Sequence, residues 1–244
     1  MQPQNDKDGT LSAKWPKTFP PLTPEQVAIS NDFMKLWHNE LPKKYQFVDA
    51  FGHNFVRRAS PRGFVRTLEI GAGLGEHLEY ERLTAEQEAN YHALDLRENM
   101  IAELVRRRPA IHGFVGDCQK RLDFSDGFFD RIIAVHVLEH LPNLPAAVRE
   151  MRRLVARSGS LLIVIPCEGG LAYSLARRIS AQRLFEKRYK QSYSWFIERE
   201  HINKPAEILE ELSRCFTVRK SGYFPIPVPL TLCNLCIGLV LTPL

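Results

Sequence analysis

An apolar segment that runs straight into three alternating glycines constrains this chain more than any other stretch. Phe64-Val65-Arg66-Thr67-Leu68-Glu69-Ile70 reads as a strand, and Gly71-Ala72-Gly73-Leu74-Gly75 follows without a break. Glycines lack a Cβ, so the backbone there can turn tightly and approach a ligand closely. Free N–H groups at the start of a helix expected near Glu76-His77-Leu78 would favour a negative group. A dinucleotide fingerprint would place its last small residue at position 76, which is Glu76. A carboxylate there would repel a pyrophosphate, so the dinucleotide reading fails.

Past the glycines, short apolar runs at 91–94, 111–115, 128–137 and 160–166 alternate with helical patterns, the mark of βαβ units. The clearest helix sets Leu144, Ala147, Val148, Met151, Leu154 and Val155 on one face and Arg149, Glu150, Arg152 and Arg153 on the other, with Gly159 as its expected end. This alternation predicts an α/β fold with a doubly wound sheet and helices on both faces. Upstream, Thr23-Pro24-Glu25-Gln26 forms a capping box that starts a helix running to about residue 40, with Val27, Phe33, Leu36 and Trp37 on its apolar side. A second helix is expected over about 45–58. Residues 1–22 are polar and carry prolines, and read as a flexible or loosely docked arm. Downstream, 171–190 is helical and basic, 205–215 is a further helix and 216–224 a late strand.

Composition excludes little. A hydrophobic share of 44% and a charged share of 25% are those of an ordinary globular domain. The net charge of +5 suits an anionic substrate, a membrane surface or a nucleic acid without selecting one. Of five cysteines, Cys233 and Cys236 form one CxxC, but no second pair completes four zinc ligands, so no metal site is expected. The first residues contain no apolar core of a signal peptide, which points to the cytoplasm or the inner face of its membrane.

Asp95 stands 20 residues past Gly75, at the end of the second strand, where a carboxylate can accept both hydroxyls of a ribose. Its competing role is to cap the helix that follows, with Glu98 at the third position. Together these residues resemble the class I S-adenosylmethionine-dependent methyltransferases of the small-molecule type with an E/DxGxGxG first motif, over residues 64–166. Glu69, Gly71, Ala72, Gly73 and Gly75 match that motif, and Asp95 with Leu96 matches the ribose-binding site. Asp117 matches the acid that meets the adenine amino group, with Cys118 beside the ring and His136 following the fourth strand. The resemblance implies S-adenosyl-L-methionine as cofactor and a Rossmann-like seven-stranded sheet of order 3-2-1-4-5-7-6 whose last strand is antiparallel. It divides the chain into N-terminal helices (23–60), a cofactor-binding core (64–170), a substrate-side helical insertion (171–215) and the last strands with an apolar C-terminus (216–244), all one domain over 23–244.

Four residues are candidates for acceptor chemistry. His136 and His140 follow the fourth strand one helical turn apart, a spacing at which metal binding is conceivable, at the sheet edge where ligands of such folds sit, and a histidine titrates near neutrality. Glu168 follows the fifth strand beside Gly169-Gly170, a pair that suggests a closing loop. His201 lies in the insertion. Glu139 and His140 could instead orient their loop, and Cys167 has no activating partner in view.

The basic residues Arg177, Arg178, Arg183, Lys187, Arg188 and Lys190 could meet a phosphate-bearing substrate, a lipid headgroup or RNA, or be a solvated face. Phe185, Tyr189, Tyr193, Trp195 and Phe196 read first as packing. Residues 222–244 carry no charge, so they belong in the domain core, in a homodimer or at a membrane interface. The expected activity is methyl transfer to oxygen, or to nitrogen or carbon, of a small, lipid-linked or glycan-linked acceptor of cell-surface polysaccharide synthesis. RNA methylation and a non-catalytic cofactor-binding partner protein are the alternatives; the residues after the fourth strand, Leu138-Glu139-His140-Leu141-Pro142-Asn143, make DNA-base methylation a poor fit.

Overall fold

A computed structural model of the chain describes residues 14–40 and 42–244, with side chains described outside 37–45. Two helices come first, α1 (Pro24–Glu40) and α2 (Pro42–Ala59). The capping box forms as expected: Gln26 N–H donates to Thr23 Oγ1 at 3.2 Å and Thr23 N–H to Gln26 Oε1 at 3.0 Å. The strand β1 (Thr67–Ile70) then leads through the glycines into a single 3₁₀ turn (Glu76–Glu79), followed by α3 (Ala85–Ala89), β2 (Tyr91–Asp95), α4 (Glu98–Arg107), β3 (His112–Val115) and β4 (Phe129–Val135). A second 3₁₀ turn (Leu138–His140) precedes α5 (Leu144–Leu154) and β5 (Val155–Pro166). The helices α6 (Leu171–Arg177) and α7 (Arg183–Tyr189) are joined by a π-helical stretch (Arg178–Gln182) into one rod. After them come α8 (Ser194–Glu200), α9 (Pro205–Ser213), β6 (Phe216–Phe224), a 3₁₀ turn (Thr231–Cys233) and β7 (Cys236–Pro243).

The seven strands form one sheet of order β3-β2-β1-β4-β5-β7-β6. All pairings are parallel except those of β7, which lies antiparallel between β5 and β6. That is the sheet the sequence resemblance implies. On one face α5 and α9 bury Leu144, Val148, Met151, Ile208 and Leu212 against Ile132, Leu161 and Ile163. On the other, α2 sets Phe55 and Val56 against Ile133, Leu162 and Val164. Apolar burial on both faces explains why β4 and β5 read as continuous hydrophobic runs.

Four expectations need correction. The fifth helix ends at Leu154, not at Gly159, because β5 already begins at Val155 and Gly159 lies inside it. A Cβ there would stand 2.9 Å from the Asp130 carbonyl oxygen and 3.0 Å from that of Phe129, so the glycine serves a close strand approach. The expected flexible arm over 1–22 lies outside the described residues up to position 13; from Lys14 on it is docked. Trp15 packs on the main core, and Lys17 donates from its backbone to Pro142 O at 2.9 Å and from Nζ to Glu207 at 2.8 Å. The apolar C-terminus is divided: residues 236–241 are buried as a strand, whereas Ile226, Val228, Leu230 and Leu232 are exposed. Among the described side chains of α1, Ile29 and Phe33 are buried and Val27, expected on the apolar side, is exposed; Trp37 lies outside the described side chains.

The amino edge of the sheet is tied by a buried cation. Arg131 is fully buried; its guanidinium donates to Glu81 at 2.6 Å, Ser60 Oγ at 2.8 Å and Thr67 Oγ1 at 3.1 Å, and stacks 3.6 Å from the Phe64 ring centre. These bonds join β4 to β1, the end of α2 and the turn before α3. Removing one partner of a buried pair leaves the other charge uncompensated. Arg131→Met should therefore cost about 3–5 kcal/mol, and Glu81→Gln in the same chain should restore part of it; urea denaturation measures both. Equal midpoints for wild type and Arg131→Met would refute this account.

Candidate functional site

The registers set the site's floor. Ile70 pairs with Leu94 on β2 and with Ala134 on β4, so the three carboxyl ends stop at one level. Gly71 and Ala72 both donate to the Leu94 carbonyl, at 2.8 and 3.0 Å, which turns the chain sharply off the sheet. Gly71, Gly73 and Gly75 take positive φ of 72°, 55° and 88°, a region side chains rarely adopt. A Cβ on Gly71 would also stand 2.5 Å from Val137 Cγ2. The expected anion site at the following helix is absent. Only a four-residue 3₁₀ turn follows, and Glu76 Oε2 itself accepts the Leu74 N–H at 2.9 Å.

Asp95 is buried and fully engaged. Oδ2 accepts from Gly73 N at 3.0 Å and Arg97 NH2 at 3.2 Å; Oδ1 accepts from Arg97 N at 2.9 Å and Arg97 Nε at 3.0 Å. Burial opposes its charge, but Arg97 and the two backbone N–H groups hold its carboxyl below the usual range. It does not cap α4, whose N-cap is Arg97 with no side-chain bond. A diol that reaches Asp95 would exchange with the guanidinium, which is 46% exposed and free to swing out.

Above this floor is a chamber of about 650 Å³, of a size that takes a nucleoside together with a second small molecule. Of the residues expected to hold a cofactor, Gly71, Asp95, Leu96, Asp117, Cys118 and His136 line it. Glu69, Ala72, Gly73 and Gly75 do not. Glu69 is buried beneath, accepting the Tyr91 hydroxyl at 2.7 Å, and burial raises its carboxyl pKa. Ala72 packs with Leu78 and Leu104, and Gly75 approaches the same pair. Asp117 is fixed by Gln119, which donates from both its backbone and side chain at 2.9 Å. Cys118 and Cys167 are buried thiols, each pushed up to about 12, which suits neither for nucleophilic attack.

Of the four candidates for acceptor chemistry, His136, His140 and His201 line the chamber, and Glu168 stands behind His201 in the adjoining pocket. His136 has φ of 55°, a strained value for a side-chain-bearing residue, and its Nδ1 lies 3.4 Å from Glu139 Oε1. Burial disfavours its charge, but Glu139 and Asp49 outweigh this and raise its pKa. Its Nε2 is buried without a partner among the described residues. His140 donates from Nδ1 to the Glu200 carbonyl at 2.6 Å, and desolvation keeps its ring on the neutral side. Glu168 is bound by Arg177 and, through Oε2, by His201 Nδ1 at 3.1 Å. The His140 and His201 rings meet edge to face, 5.2 Å between centres.

Several lining residues escaped the sequence reading. Asp49 comes from α2, and burial raises its pKa; Tyr173 comes from α6, as does Arg177, which the sequence reading named only as one of a basic set. Asn203 is fully buried and donates from Nδ2 to Leu138 O at 2.7 Å and Leu141 O at 2.8 Å, which clamps the turn bearing Glu139 and His140 onto the segment bearing His201. A lone asparagine in a polar stretch gives no sequence signal for such a role.

The residues present fit S-adenosylmethionine on two observations. At Gly71 the backbone itself borders the chamber, where a Cβ would strike Val137, and acids follow β2 and β3 in a lining that also includes Leu96, Cys118 and Leu141. Residues 68–163 match the family model described as "Methyltransferase domain". Over 120 residues the chain is 30% identical to the malonyl-[acyl-carrier protein] O-methyltransferase of Erwinia pyrifoliae, a stretch covering 49% of this chain and 44% of that protein. The likeness thus spans less than half of the relative's length. The fold is similar to the TehB-like SAM-dependent methyltransferase of Corynebacterium glutamicum (TM-score 0.56, 17% identity, 89% of this chain and 100% of that one). It is likewise similar to the N-methyltransferase NodS of Bradyrhizobium japonicum, solved with S-adenosyl-L-homocysteine (TM-score 0.57, 13% identity, 88% and 98%). Residues 68–163 thus match a methyltransferase domain, and the 3-2-1-4-5-7-6 sheet that carries them has the fold of the S-adenosylmethionine-dependent methyltransferases to which the chain is similar.

Proposed function

We propose that the chain transfers a methyl group from S-adenosylmethionine to a hydroxyl oxygen of a lipid-linked or glycan-linked acceptor. The observation that carries the reading is the chamber's mixed lining: a glycine turn with two acids, together with the histidine–carboxylate cluster of His136, Glu139, His140 and His201. On this reading Asp95 accepts from the ribose, Asp117 and Cys118 border the adenine, Gly71 lets the cofactor lie against the backbone, and His136 lies between cofactor and acceptor. Glu69, Ala72, Gly73 and Gly75 hold the turn from behind. When bound, the cofactor's sulfonium supplies an activated methyl group, so the chain has to align the acceptor and exclude water.

The acceptor's oxygen would sit among His140, His201 and Glu139. Each histidine has its Nδ1 on an oxygen acceptor, Glu200 O or Glu168, so the ring proton is held there and Nε2 presents a lone pair. One of these nitrogens would take the hydroxyl's proton. Glu168, held below the usual carboxylate range despite burial by His201 and Arg177, steadies the imidazolium.

The lipid-linked part rests on the outer face of the rod α6–α7. Leu171, Leu175 and Ile179 repeat every four residues and are 68, 62 and 68% exposed. Exposed Leu230 and Leu232 lie alongside, where Gly170 abuts the Thr231 carbonyl. Exposed Arg178, Arg183 and Lys187 continue the stripe, a pairing of apolar and basic groups suited to an anionic lipid surface. Tyr173, Ala176 and Arg177 on the opposite side line the chamber, so a surface-bound acceptor would have a short path inward. Among the described residues no helix is long and apolar enough to cross a membrane.

Calorimetry should give one S-adenosylmethionine per chain. Asp95→Ala should weaken binding by about tenfold to a hundredfold, the worth of a charged hydrogen bond of ~1.5–3 kcal/mol. Gly71→Ala should weaken it by at least about tenfold, given the left-handed strain of ~1–2 kcal/mol and the Val137 overlap. Absence of binding by the wild type would sink the cofactor assignment for this chain. The acceptor reading has a separate check, cosedimentation with phosphatidylglycerol vesicles. Leu175→Glu together with Ile179→Glu should lower vesicle binding by more than about tenfold, since each residue forfeits ~1.5–3 kcal/mol of apolar burial; wild-type protein that stays in the supernatant would count against a lipid-linked acceptor.

A further inference from the structure

Glu139 is 1% exposed, and while its Oε1 lies near His136 Nδ1, its Oε2 is buried with no hydrogen-bond partner among the described residues. Such an atom calls for an explanation, because an unpaired buried carboxylate oxygen is costly. Through Oε1 the same carboxylate faces two imidazoles, those of His136 and His140. His140 Nε2 is 3.8 Å from Glu139 Oε1, and because His140 Nδ1 carries the proton given to the Glu200 carbonyl, that nitrogen turns a lone pair toward a carboxylate. One carboxylate oxygen of Glu139 and one nitrogen each of His140 and His201 all lie within 4.8 Å of one another. Acceptors that face each other in this way need a cation between them.

The geometry points to a divalent transition-metal site formed by Glu139, His140 and His201, of the class that binds zinc, cobalt or iron(II). Two imidazoles and one carboxylate make up a set that leaves coordination positions open, the hallmark of a site that also takes a substrate oxygen. Ligands of a tetrahedral zinc stand roughly 3.4 Å apart, from metal–ligand bonds of ~2.0–2.1 Å, so side-chain rotation of about an ångström would close the set. The outer contacts that orient metal-binding histidines are already made: His140 Nδ1 to the Glu200 carbonyl, and His201 Nδ1 to Glu168. Asn203 holds both segments together. The ligands straddle the turn after β4 and the segment before α9, so an ion would also lock the two walls of the chamber.

The role of the ion rests on the proposed acceptor site, although its binding does not. With the ion bound, His140 and His201 would serve as ligands in place of the base role proposed above, and an acceptor hydroxyl on the ion would have its pKa lowered and pass its proton to water. The sequence reading expected no metal, with metal binding conceivable only at His136 and His140; Glu139 and His201 complete a different set around His140.

The test uses untagged, chelator-treated full-length protein. Titration with Co²⁺ should give one ion per chain with visible absorption bands, and Zn²⁺ should compete for it, while Mg²⁺, which prefers oxygen ligands, should not. His140→Ala and His201→Ala should each weaken Co²⁺ binding by at least about tenfold, with unchanged circular dichroism and S-adenosylmethionine binding. Cys233→Ser should leave Co²⁺ binding as in wild type. Wild type without a Co²⁺ spectrum, histidine variants that bind as wild type does, or a loss that tracks Cys233→Ser would overturn the metal site. Persistence of S-adenosylmethionine binding in those cases would leave the proposed function standing, whereas loss of cofactor binding by the wild type would not.

Discussion

The in-register parallel pairing of β1 with β2 and β4 is the constraint on which the rest depends. β1 is only four residues long and buried throughout, so its backbone has no water to fall back on and must be paired on both sides. That pairing brings Gly71, Asp95 and His136 to one edge from positions far apart in the chain. The glycine turn is then held by strand atoms, through two N–H groups on the Leu94 carbonyl and one on Asp95. At the opposite edge Arg131 and Glu81 fasten the same strands, with each buried charge matched by another.

The chamber's roof is built from both ends of the chain. Phe33 of α1 is fully buried among Phe185, Tyr189, Tyr193 and Phe196, with ring centres 5.0 to 6.1 Å apart, a small aromatic core separate from the sheet's own. Arg188 and Tyr189 add bonds to Asp32 at 3.0 and 2.7 Å. The aromatics of the insertion are therefore packing, as their spacing suggested. Their consequence is larger, because they fix the rod α6–α7 so that one side closes the chamber and the other carries exposed leucines.

Much of the sheet was legible because period and polarity report burial directly. Strands buried on both faces gave unbroken apolar runs, and α5 showed its core face at helical spacing. The boundary at Gly159 was misread, since a glycine ends helices and also permits close strand approach, and only the neighbouring Phe129 and Asp130 carbonyls tell which. The arm from Lys14 was misread for a similar reason: its polar composition hid Trp15 and the Lys17 contacts, which exist only once α9 is in place.

By itself the sequence determined the alternation of strands and helices, the glycine turn and Asp95 at the end of the second strand, because these follow from local pattern and short spacing. The order of the seven strands and the role of Asp117 came only with the family resemblance. It also named His136, His140, Glu168 and His201 as separate candidates. Only the tertiary structure decided that they share one cluster with Glu139, Tyr173 and Arg177, and that Asn203 clamps it. It also split the uncharged C-terminus into a buried strand and an exposed loop. The physical reason is the same in each case: hydrogen bonds and ion pairs between residues some sixty positions apart leave no periodicity, and burial of a tail depends on which neighbours it finds.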